Sequence, residues 1–105
     1  MGESTTLHGI EMPTERIAAF CGANGIRRLA LYGSILRDDF RPDSDVDILV
    51  EFQPGVRVGY LAIERMQREL AGILGRPVDL RTPAELHPAF REEVMKEALT
   101  KYVAA

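Results

Sequence analysis

The segment Asp-Val-Asp-Ile-Leu-Val-Glu-Phe, residues 45 to 52, constrains the fold more than any other part of the chain. Val46, Ile48, Leu49, Val50 and Phe52 are good strand formers, with turn-forming Arg41-Pro42-Asp43-Ser44 before them and Pro54-Gly55 after. A strand from about Asp45 to Phe52 follows. A strand this apolar needs cover on its faces, so one sheet with helices packed on it is expected.

The neighbouring segments supply those partners. Ile17, Phe20 and Cys21 recur at helical spacing after Pro13, with Glu15 in the first turn and Asn24-Gly25 as a stop, which predicts a helix over 13–23. Ile26 to Tyr32 is short, mostly apolar and ends at Gly33, the pattern of a strand. Leu61, Ala62, Met66, Leu70, Ile73 and Leu74 form a stripe at 3.6 spacing that Gly75 closes, giving a long helix within 57–74. Tyr60 and Ile63 widen its apolar face, and burial is the expected reason rather than a partner surface. Pro77 to Arg81 reads as a brief strand, Thr82-Pro83-Ala84-Glu85 as a capping box, and Pro88 as the start of another helix. Phe90, Val94, Met95, Ala98 and Leu99 are its expected buried face, with Tyr102-Val103 packing down or adding a strand. Residues 1–12 look polar and aperiodic, a loose leader contributing little to the core. The fold class expected is α+β: a small mixed sheet with central strands at Leu29, Ile48 and Val78, forming one domain over 13–105.

Composition sets limits on function. The 105 residues carry 13 Lys and Arg against 16 Asp and Glu, a net charge of −3, which argues against a dedicated nucleic-acid binder. The one cysteine, Cys21, cannot form an internal disulfide, and no basic start with an apolar run marks the first residues as a signal peptide. With no long apolar stretch for a membrane span, a cytoplasmic protein is expected.

Chemistry concentrates around the first strand discussed. Asp45 and Asp47 project on one face, with carbons about 6.5–7 Å apart. Such a pair is tolerated at an exposed strand end or around a bound cation, and Mg²⁺ favours carboxylates that leave room for waters and substrate phosphates. Gly33-Ser34 ends the preceding strand. Glycine there lets backbone N–H groups approach a phosphate, serine adds a hydroxyl, and Arg37 can reach the same region with its guanidinium. Asp43 shares the period of Asp45 and Asp47 but reads as a turn former after Pro42. His87 reads as a loop residue. Glu92, Glu93 and Glu97 with Arg91 and Lys96 read as a solvated helix face.

Ten residues separate Ser34 from Asp45, giving Gly-Ser-x10-Asp-x-Asp followed by an apolar strand. This resembles the signature of the polymerase-β-like nucleotidyltransferases, in particular the minimal nucleotidyltransferases found beside HEPN-domain toxins. The resemblance runs from Ile26 to about Tyr102 and includes Arg37, the Pro-Asp-Ser-Asp-Val-Asp run at 42–47 and Pro-Val-Asp-Leu at 77–80. It implies a third carboxylate at Asp79, with Asp45, Asp47 and Asp79 as catalytic and metal residues around two Mg²⁺ ions. It implies phosphate contacts from Gly33, Ser34 and Arg37. The activity implied is AMP transfer from ATP to a hydroxyl, a tyrosine of a cognate HEPN toxin, so that the chain acts as antitoxin in a hetero-oligomer. Without the resemblance, Asp79 is an ordinary strand-end residue paired with Arg81. Family members often read Ala-Arg-Gly after the Gly-Ser turn and one further residue, whereas this chain has Leu36-Arg37-Asp38. An aspartate tolerates a left-handed backbone better than most residues, but its charge opposes a triphosphate. Two other readings stay open: an antitoxin that neutralises by binding alone, and transfer to a small molecule such as an antibiotic. If residues 33–79 are the catalytic layer, little chain is left for an acceptor-binding module, and another polypeptide is expected to supply it.

Overall fold

A computed structural model describes residues 4–105, and the element order places all the chemistry-bearing residues at one end of a four-stranded sheet. The strands are β3 (Ile26–Tyr32), β4 (Val46–Phe52), β5 (Val78–Arg81) and β6 (Leu99–Val103), in the spatial order β5-β4-β3-β6. β4 runs parallel to β5, and the other pairings are antiparallel, so the sheet is mixed as expected. Val78 lies on an edge strand rather than a central one.

Register divides the sheet into two faces. Leu29 pairs with Val50, Leu31 with Ile48, Ile48 with Leu80 and Val46 with Val78, and all are buried. Period two then sends Tyr32, Asp47 and Asp79 to the opposite face. The apolar face is covered by α1 (Thr14–Ala23), through Ile17, Phe20 and Cys21, and by α2 (Tyr60–Leu74), through Met66, Leu70 and Leu74. α1 stops where Asn24 Nδ2 donates to the Phe20 carbonyl at 2.8 Å, and α2 stops at Gly75 in the left-handed conformation.

The leader is corrected by the structure. β1 (Ser4–Leu7) and β2 (Ile10–Pro13) pair as an antiparallel hairpin across His8-Gly9, both with positive φ, and Ile10 and Met12 enter the main core. Ile10 and Met12 alternate around exposed Glu11, so a short half-buried strand was mistaken for an aperiodic run. Residues 1–3 of that leader lie outside the described residues.

Two expected buried surfaces are corrected in part, Ile63 packing against the core as expected. Tyr60 and Leu61, in the first turn of α2, are 80% and 78% exposed, because the helix meets the core only from Ala62 onward. α3 (Pro88–Glu97) has no buried residue, and Phe90 and Leu99 are exposed while Val94, Met95 and Ala98 are half-buried. The described elements cover that side of α3 only in part, leaving Phe90 and Leu99 outermost. Its fixings are polar instead. The Arg91 guanidinium donates to the carbonyls of Pro83, Ala84 and Leu86 at 2.8, 3.2 and 3.0 Å, and His87 caps the helix by accepting from the Ala89 N–H. No helix among the described residues is long and apolar enough to cross a membrane.

Candidate active site

The site begins where β3 ends. Gly33 has φ +75°, and a Cβ there would stand 2.5 Å from Asp47 Oδ2. Glycine is therefore favoured by the left-handed backbone, and a Cβ here would also make the Asp47 carboxylate move. The chain then makes a single 3₁₀ turn, Gly33–Leu36, closed by the Arg37 N–H on the Ser34 carbonyl at 2.9 Å.

Register aligns the rest. Tyr32 faces Asp47 across the antiparallel pair, and Asp47 faces Asp79 across the parallel pair. The three form a row on one face, spanning two strand spacings or about 10 Å. Asp45 precedes β4 and is exposed. Burial pushes the Asp47 carboxyl above the usual carboxylate range, and the negative charges of Asp79 and Asp45 push it further, with Arg81 and Arg37 opposing. Burial first, and then Asp47 and Asp79, raise the Tyr32 phenol to about 12. Tyr32 was not singled out in the sequence. Its signal was parity: with Leu29 and Leu31 in the core, Tyr32 must share the face of Asp47.

Two expected residues have other engagements. Arg37 pairs with Asp39 at 3.3 Å, both well exposed. Asp79 is paired with Arg81, whose Nε lies 3.2 and 3.3 Å from its two carboxylate oxygens, so the pairing considered from sequence is present. Asp38 is exposed, and His8 is the one non-glycine described residue with positive φ, so Asp38 replaces glycine without left-handed strain. Asp43 lies in a turn where the Ser44 N–H donates to the Arg41 carbonyl at 3.0 Å and Ser44 Oγ accepts from the Arg41 N–H. The Arg76 guanidinium ties this loop down by donating to the Ser44 carbonyl at 2.6 Å and the Arg41 carbonyl at 3.2 Å while lying over the Phe40 ring.

Asp45, Asp47 and Asp79 offer an all-oxygen donor set at one end of the sheet, and the charges of Asp79 and Asp45 add to burial in raising Asp47. Donor type and charge fit a hard divalent cation. As they stand, no three such side chains among the described residues are gathered closely enough to hold one, and Asp79 would have to turn from Arg81 to join.

The mixed sheet thus ends in a glycine turn set against strand-borne carboxylates, and comparison with known proteins gives the family. Residues 15–100 match the nucleotidyltransferase domain, and the chain belongs to that family. It is 36% identical over 76 residues to a protein of Methanocaldococcus jannaschii provisionally named a protein adenylyltransferase, spanning 72% of this chain and 80% of that one. It is 32% identical over 75 residues to the protein adenylyltransferase MntA of Thermococcus cleftensis, spanning 71% and 74%. Its fold matches, with TM-score 0.62 and 19% identity, a chain of the solved complex of tri-AMPylated Shewanella oneidensis HEPN toxin with MNT antitoxin, covering 87% of this chain and 70% of that one. The expected family, fold class and enzyme class are the ones found.

Proposed function

We propose that the protein transfers an adenylyl group from ATP to a tyrosine hydroxyl of a HEPN-domain partner, and that it acts in the cytoplasm as the antitoxin of the pair. The observation that carries this is the meeting of Gly33 with Asp47 in a row that ends at Asp79. The names of the relatives support adenylyl transfer to protein, and the AMPylated toxin in the related complex supports the partner class. One buried free cysteine suits a reducing compartment.

In this reading Gly33 and Ser34 receive the phosphates through backbone N–H and hydroxyl donors, and Arg37 leaves Asp39 to add its fork. Asp45, Asp47 and Asp79 would hold Mg²⁺, one ion or two, which supplies charge neutralisation at the reacting phosphate when bound. The acceptor oxygen forms a bond to the α-phosphorus as the bond to pyrophosphate breaks, and the phenolic proton passes to the Asp79 carboxylate. Residues 13–105 together with the hairpin would form one catalytic unit.

To test this, the full chain, ATP labelled in the α-phosphate, Mg²⁺ and the HEPN-domain protein encoded beside it are mixed, and label on protein is measured. Labelling by the parent and a loss of at least about a thousandfold, roughly 4 kcal/mol of transition-state stabilisation, in Asp45→Asn and Asp47→Asn are expected. Equal labelling by parent and variants would sink the assignment. The Asp79–Arg81 pair favours a second reading, neutralisation by binding alone. In that case Asp47→Asn would still protect cells from the toxin.

A further inference from the structure

A groove of about 710 Å³ lies beyond Asp79, between the first turns of α2, the 52–59 connection and the outer edge of β5. The row gives the reaction a direction. Gly33 and Ser34 sit at its β3 end, Asp47 in the middle and Asp79 at the β5 end. In an in-line displacement the attacking oxygen enters opposite the leaving phosphates. With phosphates at the β3 end, the acceptor must arrive from beyond β5, and the groove opens there.

Its lining is acidic. Glu64, Asp79 and Glu85 line it together with one guanidinium, Arg81, which is already engaged by Asp79. Glu85 uses one oxygen on the Thr82 N–H and hydroxyl. Glu64 is partly buried and makes no hydrogen bond or ion pair among the described residues. Exposed Tyr60 and half-buried Ile63 add apolar surface beside it. Strand addition is blocked at the middle of the β5 edge, because the Leu80 N–H donates to Gln67 Oε1 at 2.9 Å. Recognition there falls to side chains.

We propose that this groove is the acceptor subsite, that it takes a tyrosine-bearing polypeptide segment with Arg or Lys next to the acceptor residue, and that Glu64 determines that specificity. The proposal rests on the protein-acceptor reading above. A partly desolvated, unpaired carboxylate gains most from a cation delivered by the incoming segment, whereas an acidic segment meets repulsion from three carboxylates.

Two synthetic tyrosine peptides, one with flanking arginines and one with flanking glutamates, serve as probes with the full chain. Binding is read by fluorescence anisotropy without nucleotide or metal, and adenylylation is read by mass spectrometry with ATP and Mg²⁺. The parent should favour the arginine peptide at least tenfold in both, with a preference that fades as salt rises. Glu64→Gln should shrink the ratio and Glu64→Lys should bring it to one or reverse it, with ATP affinity and melting temperature as in the parent. Equal treatment of the peptides by the parent, or an intact preference in Glu64→Lys, would overturn the groove assignment. So would unlabelled peptides in a reaction where the HEPN protein is labelled, and the function above would then stand. Labelling of no protein or peptide by the parent would overturn both.

Discussion

The two faces of the same sheet do different work, although they share every backbone hydrogen bond. One face is Leu29, Leu31, Val46, Ile48, Val50, Val78 and Leu80, sealed by two helices and a hairpin. The other carries Tyr32, Asp47 and Asp79 at one end, with a carboxylate held above its usual range. Burial of apolar surface stabilises the first by about 25 cal/mol per Å². Repulsion at the second opposes folding. Alternation along a strand lets a small domain keep both, because a residue and its neighbour face different environments 3.3 Å apart or so. The stable face fixes the register that the reactive face needs.

That division can be broken from the stable side. Leu29 is fully buried and three residues from Tyr32 of the row, so Leu29→Ala should cost about 3 kcal/mol from lost transfer energy and the cavity left behind. Urea unfolding would show it, and ATP affinity measured well below the melting point should stay within about twofold, since additivity holds for sites without shared partners. Loss of nucleotide binding with little loss of stability would contradict the separation. Gly33→Ala strikes where the faces meet. A left-handed alanine and a Cβ 2.5 Å from Asp47 Oδ2 together should cost about 2 kcal/mol, and labelling should fall at least tenfold because the carboxylate must move. Unchanged stability in Gly33→Ala would mean the turn relaxes freely.

The apolar face was legible from sequence because its signals are local. The strand at 46–52, the helices ended by Asn24 and Gly75 and the Thr82–Glu85 capping box each follow from a few neighbouring residues. Asp45, Asp47 and Gly33 were legible as candidates for the same reason. What sequence did not supply was pairing. The row of Tyr32, Asp47 and Asp79 exists only once three strands are in register, whereas the Asp79–Arg81 pair, two residues apart on one strand, was open to a local reading. The exposed α3 illustrates the converse. Its apolar period identifies a face, but whether a face is covered is a property of the assembly around it.

The smallest expected effect is also the sharpest, because its sign runs against ordinary mutational experience. Asp47 has its pKa raised on folding, so the folded state binds a proton at this group more tightly than the unfolded chain does. Stability from such a group is intact below the ordinary carboxylate range and is lost as pH rises through the raised value. At neutral pH the ionised, half-buried Asp47 therefore destabilises the fold. Asp47→Asn keeps the shape and removes the charge, so its melting temperature should exceed that of the parent at neutral pH. The gap should close as the pH falls below the ordinary Asp range. A divalent cation that binds the folded carboxylates should raise the parent in the same way, by mass action, and leave Asp47→Asn nearly unmoved. A variant less stable than the parent at neutral pH would show that Asp47 contributes to the fold, and the contrast between the two faces would fail at the residue where it is steepest.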